Sequence, residues 1–428
     1  PDYDPQFSVL TRAGKRAFFN AGSRLWTTDG TPAGTLPFKP RNVYAQLQIT
    51  APIGFVGGRL VFGANFLPYP LRCDPGDTEP WVTDGTRRGT RQVVNLNPFV
   101  GYGGGSSQCE TVELSSSPSR GAVLGQIALF AANDFRHGRE LFATDGTKAG
   151  THIVADLDPR LERNPVFDPH DPEFGPEQIG VGSSPSDLVR SGSRVFFVAD
   201  DGTTGRELWV TDGTRRHTRR VADLVPGPGG STPRDLVAAG GAVYFFAARG
   251  AGEGLYRSDG TQRGTTLVSD LAGGSQAREL TITKNGSLFF VAFHPETGTE
   301  LWTSRGTPGT TRRVADLRPG PRGSLPQRLK ATGNRLVFAA DDGTSGLEPW
   351  RSDGTPEGTV RLGDLAPGSA ASSPGPFSVA NGQVLFGADD GEHGRELWAI
   401  PLPKVSAIRP CRPARPRLPD LLGATCIR

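Results

Sequence analysis

The residues of this chain whose types and spacing could do chemistry sit in three kinds of place. The segment 158–180, DPRLERNPVFDPHDPEFGPEQIG, gathers Asp168, His170, Asp171 and Glu173 beside Phe167 and Phe174. Acidic groups around one imidazole are a metal-ligand set, and two rings beside them could seat a partner. The plain alternative is a surface loop braced by its prolines. Tyr102 adds an aromatic candidate on the nearby GYGGGSS run at 101–107, whose glycines lack the strand-then-helix context of a phosphate loop and read as a crossover. Paired aspartates recur at Asp200 and Asp201, Asp341 and Asp342, and Asp389 and Asp390, each pair in an ADDG turn. They resemble part of a calcium site, but calcium takes roughly six to eight oxygens and these loops lack the full ligand ladder. Ordinary turn chemistry is the preferred reading, with calcium the one cofactor kept open.

Four cysteines form two local pairs, Cys73 with Cys109 and Cys411 with Cys426, without Cys-x-x-Cys spacing. An even count in an exported chain predicts two disulfides, although four cysteines permit three connectivities. No Gly-x-Ser-x-Gly, His-Glu-x-x-His or Gly-Lys-Ser/Thr string is present, and the six histidines are scattered along the chain. A catalytic set, if there is one, must be assembled from distant segments.

What positions these residues is an internal repeat. RELWVTDGTRRHTRRVADLVPG at 206–227 recurs as TELWTSRGTPGTTRRVADLRPG at 299–320 and LEPWRSDGTPEGTVRLGDLAPG at 347–368. The glycine of the Asp-Gly-Thr signature falls at Gly30, Gly85, Gly146, Gly213, Gly260, Gly306 and Gly354, a ground period of about 47 residues with additions in the early copies. Eight short apolar runs lie upstream, from AFF at 17 to VLFGA at 384, and the eighth is followed by RELWAI at 395–400 with no Asp-Gly-Thr after it. Each unit translates into four strands of β-branched and aromatic residues bounded by Gly, Asp and Pro, with Asp-Gly expected to make a tight hairpin. Four strands per period is a propeller blade. The recurrent Trp26, Trp81, Trp209, Trp302, Trp350 and Trp398 then read as packing between blades, and the signature aspartates as turn formers.

The string Glu-Leu-Trp-x-x-Asp-Gly-Thr, followed by Gly-Thr, Val-x-Asp-Leu and Pro-Gly, resembles the ELWxxDGT repeat family of secreted bacterial proteins over nearly all of residues 8–400. The resemblance implies an exported β-propeller-like protein and supplies no catalytic residues. Phe142 in place of Trp, Gly254-Leu255-Tyr256, Arg305 and His217 depart from the pattern and read as drift.

The expected architecture is therefore all-β, a single eight-bladed β-propeller of four-stranded blades over 1–400, with seven blades as the alternative. Residues 401–428 are a Pro/Arg-rich tail that could supply a last outer strand and a disulfide loop. Loop length varies on one face only, at 64–78, 97–111 and 158–184, and binding usually resides on variable loops of a rigid scaffold. The leading expectation is a secreted or cell-surface, non-catalytic binding scaffold for a glycan or protein partner. The rivals are a propeller hydrolase or lyase with a central-pocket site, and a structural subunit of an extracellular assembly. The propeller carries no basic stripe for nucleic acid, and no run approaches the roughly 18 apolar residues of a membrane span. The chain contains no Met and opens Pro1-Asp2-Tyr3, which reads as a processed, exported polypeptide. Its 58 Gly and 37 Pro in 428 residues approach the roughly 25–30% at which aperiodic Pro and Gly signal low complexity, but much of the glycine is periodic.

Overall fold

The computed structural model describes the chain between residues 7 and 401, apart from 14–15, 22–23, 38–45, 68–76, 103–110, 172–174, 272–275 and the single positions 30, 32, 87, 166 and 381. All four cysteines, Glu173, Phe174 and the tail beyond residue 401 lie outside the described residues. Among the described residues the chain is all-β: the only helical element is a single 3-10 turn at Arg215–His217. The strands form eight antiparallel meanders, numbered here as modules 1 to 8. They span 7–37, 46–92, 122–155, 186–220, 234–270, 278–313, 327–361 and 378–401. Among the described residues seven have four strands in sequence order, and module 8 has three. The four-strand translation of the repeat is thus correct in type and order.

The modules fall into two compact units, residues 1–233 with 260–262, and 234–259 with 263–428, holding modules 1 to 4 and 5 to 8 respectively. The same device builds the core of each. The second strand of a module is a continuous apolar run, and consecutive residues are buried, so both of its faces are covered. In Arg194–Asp200 of module 4, residues 195 to 199 are all buried. In the first unit Leu129, Leu141, Val195, Phe197 and Trp209 form one such layer. In the second, Phe289, Leu301, Leu336, Phe338 and Trp350 form another. The tryptophans pack as expected: Trp209, Trp350 and Trp398 are buried, and each donates its indole N–H to a carbonyl ten residues earlier, on Ala199, Ala340 and Ala388.

Two expectations need correction. The Asp-Gly step is not a two-residue hairpin: in module 4 the third strand ends at Thr211 and the fourth begins at Arg219, and a longer loop closes on itself. The additions are also not plain crossovers, because two of them contain two-stranded ribbons, Val100–Tyr102 with Thr111–Glu113 and Leu161–Arg163 with Gln178–Gly180.

Candidate functional site

Most of the polar residues of the repeat close the repeat. In module 7, Asp353 Oδ1 accepts from the Thr355 N–H at 3.0 Å and hydroxyl at 2.7 Å, while the Thr355 hydroxyl accepts from the Gly358 N–H at 2.9 Å. The Thr359 hydroxyl donates to the Thr355 carbonyl at 2.6 Å and lies 2.8 Å from the Ser352 hydroxyl. The bond from the Thr355 hydroxyl holds the Asp353 carboxyl below the usual range. The circuit explains the second glycine of the signature: a Cβ at Gly358 would lie 2.0 Å from Asp353 Oδ1, and one at Gly89 2.0 Å from Asp84 Oδ1. It also explains two departures together. Module 6 has Arg305 in place of the aspartate and Thr310 in place of that glycine, because without the carboxylate nothing forbids a Cβ.

The paired aspartates behave alike. Asp200 Oδ1 accepts from the Gly202 N–H at 2.8 Å, while Asp201 Oδ1 accepts from the N–H groups of Thr203 at 2.9 Å and Thr204 at 2.8 Å and from both hydroxyls. Asp341 and Asp342 repeat this with Gly343, Thr344 and Ser345, and Asp389 and Asp390 with Gly391, Glu392 and His393. Partial burial pushes the Asp201 and Asp342 carboxyls up, but these bonds outweigh it and bring both to about 2. The His393 N–H and imidazole, with the Glu392 N–H, bring Asp390 to about 2.

Sequence reasoning missed the glutamate of the repeat. Glu79, Glu140, Glu207, Glu300 and Glu348 are fully buried. Each carboxylate accepts the hydroxyl and N–H of a serine that precedes the following module: Ser116, Ser183, Ser231, Ser324 and Ser372, with hydroxyl distances of 2.5–2.8 Å. Further N–H groups on the outgoing chain complete the shell, such as that of Leu365 to Glu348 at 3.0 Å. Burial pushes Glu140 up to about 7 against the pull of its bonds, and raises Glu207, Glu300 and Glu348 as well. The signal was available, since the serine follows the glutamate by 24 residues wherever no insertion intervenes.

One turn does something else. In module 3 the paired-aspartate position reads Asn133-Asp134-Phe135-Arg136-His137. Phe135 has φ 67°, where its counterparts are Gly202, Gly343 and Gly391, with φ 75–84°. The other positive-φ residues besides glycine are periodic: they follow the serines of the latch, as Ser184 and Thr232 do, or sit in the bulge of a first strand, as Asp187 and Asp235 do. Phe135 alone has no such equivalent among the described residues. Its ring lies 5.3 Å from Phe99, on the chain entering the first ribbon, and the Arg136 guanidinium lies 5.9 Å from the Phe99 ring centre. Gly175, from the second insertion, lies against both rings, so that a Cβ there would be 2.9 Å from Phe135 and 3.2 Å from Phe99. The Phe135 carbonyl accepts from the Gly180 N–H at 3.3 Å, and the Phe99 carbonyl from the Leu114 N–H at 2.9 Å. His137 Nδ1 is held by Asp134 Oδ2 at 2.7 Å. The cluster thus offers two half-buried rings, an exposed guanidinium and a carboxylate-held imidazole where two insertions meet one turn.

Of the residues singled out in the second insertion, Glu173 and Phe174 lie outside the described residues, and Asp168, His170 and Asp171 join no metal-binding group among the described ones. Asp168 Oδ1 accepts from the His170 N–H at 2.8 Å and the Asp168 carbonyl from the Asp171 N–H, so these residues close a turn, with Phe167 half-buried beside it. Among the described residues no three His, Cys, Asp or Glu side chains gather in a metal-binding group. Tyr102 ends the first strand of its ribbon.

No family model matches the chain, and no curated protein does. Solved structures do. A structure from a study of two prolyl endopeptidases matches at 12% identity and a TM-score of 0.47, over 90% of this chain and 54% of that one. A puromycin-hydrolyzing peptidase from Mycobacterium tuberculosis matches at 13% and 0.42, over 87% and 54%. Prolyl oligopeptidase B from Galerina marginata matches at 12% and 0.44, over 90% and 55%. The chain spans about half the length of these proteins, and at such scores no residue role transfers. The proteins in these structures are named as peptidases, not as the non-catalytic glycan- or partner-binding scaffold that the sequence led us to expect, and that expectation is withdrawn. No helix among the described residues is long and apolar enough to cross a membrane.

Proposed function

We propose that the eight modules close into one eight-bladed β-propeller of the ELWxxDGT-repeat kind, exported with its cysteines paired, and that this propeller belongs to a hydrolase. In this reading the module 3 cluster meets a peptide-like substrate on the long-loop face. The observation that supports it is the conformation of Phe135. A bulky residue at positive φ costs about 1–2 kcal/mol, and modules 4, 7 and 8 avoid that cost with glycine. Strain kept at one copy of a repeat marks a position where something other than folding is at stake. What the strain secures is a face of rings for an apolar side chain, with a guanidinium and an imidazole for carbonyl or carboxylate oxygens.

The test is hydrolysis of a fluorogenic peptide library by the full-length polypeptide as it occurs in its source, with Phe135→Gly and Phe99→Ala alongside. Cleavage that weakens in both variants supports the reading. No cleavage and no peptide binding by the intact protein sinks it.

A further inference from the structure

A second departure from the repeat lies in module 4, away from the module 3 cluster and independent of the reading above. Here the loop after Asp-Gly runs Thr214-Arg215-Arg216-His217-Thr218-Arg219-Arg220; the module 2 loop, TRRGTRQ at 86–92, is comparably basic but keeps glycine where module 4 has His217, and TPEGTVR in module 7 is weakly charged. His217 stands where the circuit elsewhere requires glycine. The chain accommodates it by winding into the 3-10 turn Arg215–His217, and the imidazole joins the circuit: Nδ1 lies 2.6 Å from Asp212 Oδ2. With Nδ1 so held, Nε2 is left for an external partner.

The imidazole lines a cavity of about 340 Å³ together with Ser193, Arg194, Thr211, Asp212 and Arg219. Arg194 enters from the second strand, its guanidinium 5.7 Å from the Phe196 ring centre, and no hydrogen bond or ion pair to that group is found among the described residues. Arg219 donates one N–H to the Gly260 carbonyl at 2.7 Å, and its remaining N–H groups are uncommitted. Arg215 and Arg216, in the same loop, are exposed. Against the Arg194 and Arg219 guanidinium groups of the lining stands one carboxylate, Asp212, already occupied by Thr214 at 3.0 and 2.6 Å and by His217. Arg220 is a separate matter, since it turns to Asp201 and Asp223.

We propose that this cavity is a binding site for a tetrahedral oxyanion, a phosphate or sulfate group. Guanidinium forks match the paired oxygens of such groups. The Ser193 hydroxyl and, in the protonated imidazole, His217 Nε2–H supply further donors, and the two lining guanidinium groups outnumber the one lining carboxylate. Module 2 carries matching arginines, Arg59, Arg88 and Arg91, but keeps Gly89, so what sets module 4 apart is the imidazole added to them.

Equilibrium dialysis of the full chain with radiolabelled inorganic phosphate and, separately, sulfate, at fixed ionic strength set with sodium chloride, tests this directly. Saturable binding of one equivalent is expected, at least tenfold weaker in an Arg194→Gln, Arg219→Gln double variant and unchanged in Arg305→Gln, at the matching loop of module 6. His217→Gly restores the residue of the sister loops and should fold normally while binding several-fold more weakly. If only one of the two anions binds, that arm identifies the ligand chemistry. Absence of saturable binding of either anion, or binding untouched by His217→Gly and the double variant, overturns the proposal.

Discussion

The turn between the second and third strands is built twice in the first unit from nearly the same sequence, once as Asp200-Asp201-Gly202 in module 4 and once as Asn133-Asp134-Phe135 in module 3. In module 4 the first two side chains cap the backbone and glycine takes the left-handed conformation at φ 75°. In module 3 the caps are kept, with Asn133 Oδ1 accepting from the Phe135 N–H at 2.7 Å and Asp134 Oδ1 from the His137 N–H at 2.8 Å, but a phenylalanine is forced into the same conformation. The caps show that folding needs are met in both, so the ring is an addition. The difference teaches where to look in a repeat protein: at a copy that satisfies the repeat and still departs from it.

The sharpest way to set the shared scaffold apart from the departure is to break the scaffold. Glu207→Ala should cost about 3–5 kcal/mol, because it leaves the Ser231 N–H and hydroxyl buried without their acceptor. Glu396→Ala, at the corresponding but exposed position of module 8, should change stability by under about 0.5 kcal/mol. Denaturant unfolding of both variants checks the contrast. Next comes the exchange of the two turns. Gly202→Phe should destabilise by about 2 kcal/mol or more, since a side chain there meets the Arg160 guanidinium, with Arg160 Nε 2.3 Å from the added Cβ. Phe135→Gly should stay within about 1 kcal/mol of the parent, because relief of backbone strain offsets the lost Phe99 contact. Its signature should be faster proteolysis of the 158–182 insertion. If Phe135→Gly instead destabilised as much as Gly202→Phe, the ring would be a core residue.

A smaller effect separates the two carboxylate classes by pH. Glu140 is raised in the folded state to about 7, so the folded protein holds that proton more tightly than the unfolded chain. Its contribution favours the fold below the ordinary carboxylate range and is lost as pH rises through about 7. Asp201 and Asp342 are lowered to about 2, so their contribution is present above the ordinary range and lost as pH falls through about 2. Unfolding free energy measured from pH 2 to 8 should rise and then decline, and Glu140→Gln should flatten the decline while leaving the acid limb in place.

Much of the fold was legible because the repeat states it many times over. Period, strand order and the packing role of the tryptophans all follow from residues that recur in one frame. The glutamate of the repeat is legible only in part: Trp209 beside it carries a packing signal by itself, whereas Glu207 needs Ser231, one module later, before its burial makes sense. The module 3 cluster was not legible. Phe99, Phe135 and Gly175 are far apart in the chain, and only the fold brings them together. The insertion residues that looked like ligands, Asp168, His170 and Asp171, were chosen for chemical type. In the structure the Asp168 carboxylate and carbonyl accept the His170 and Asp171 backbone N–H groups and close a turn. Chemical type without an address finds turns as readily as sites.

The central claim is that the module 3 departure exists to meet substrate. It is tested most directly by kcat/KM for the best fluorogenic peptide, compared between the parent protein and Phe135→Gly. A fall of about tenfold or more, with unfolding free energy within about 1 kcal/mol of the parent, is the predicted result. An unchanged kcat/KM in a stably folded variant would contradict the account.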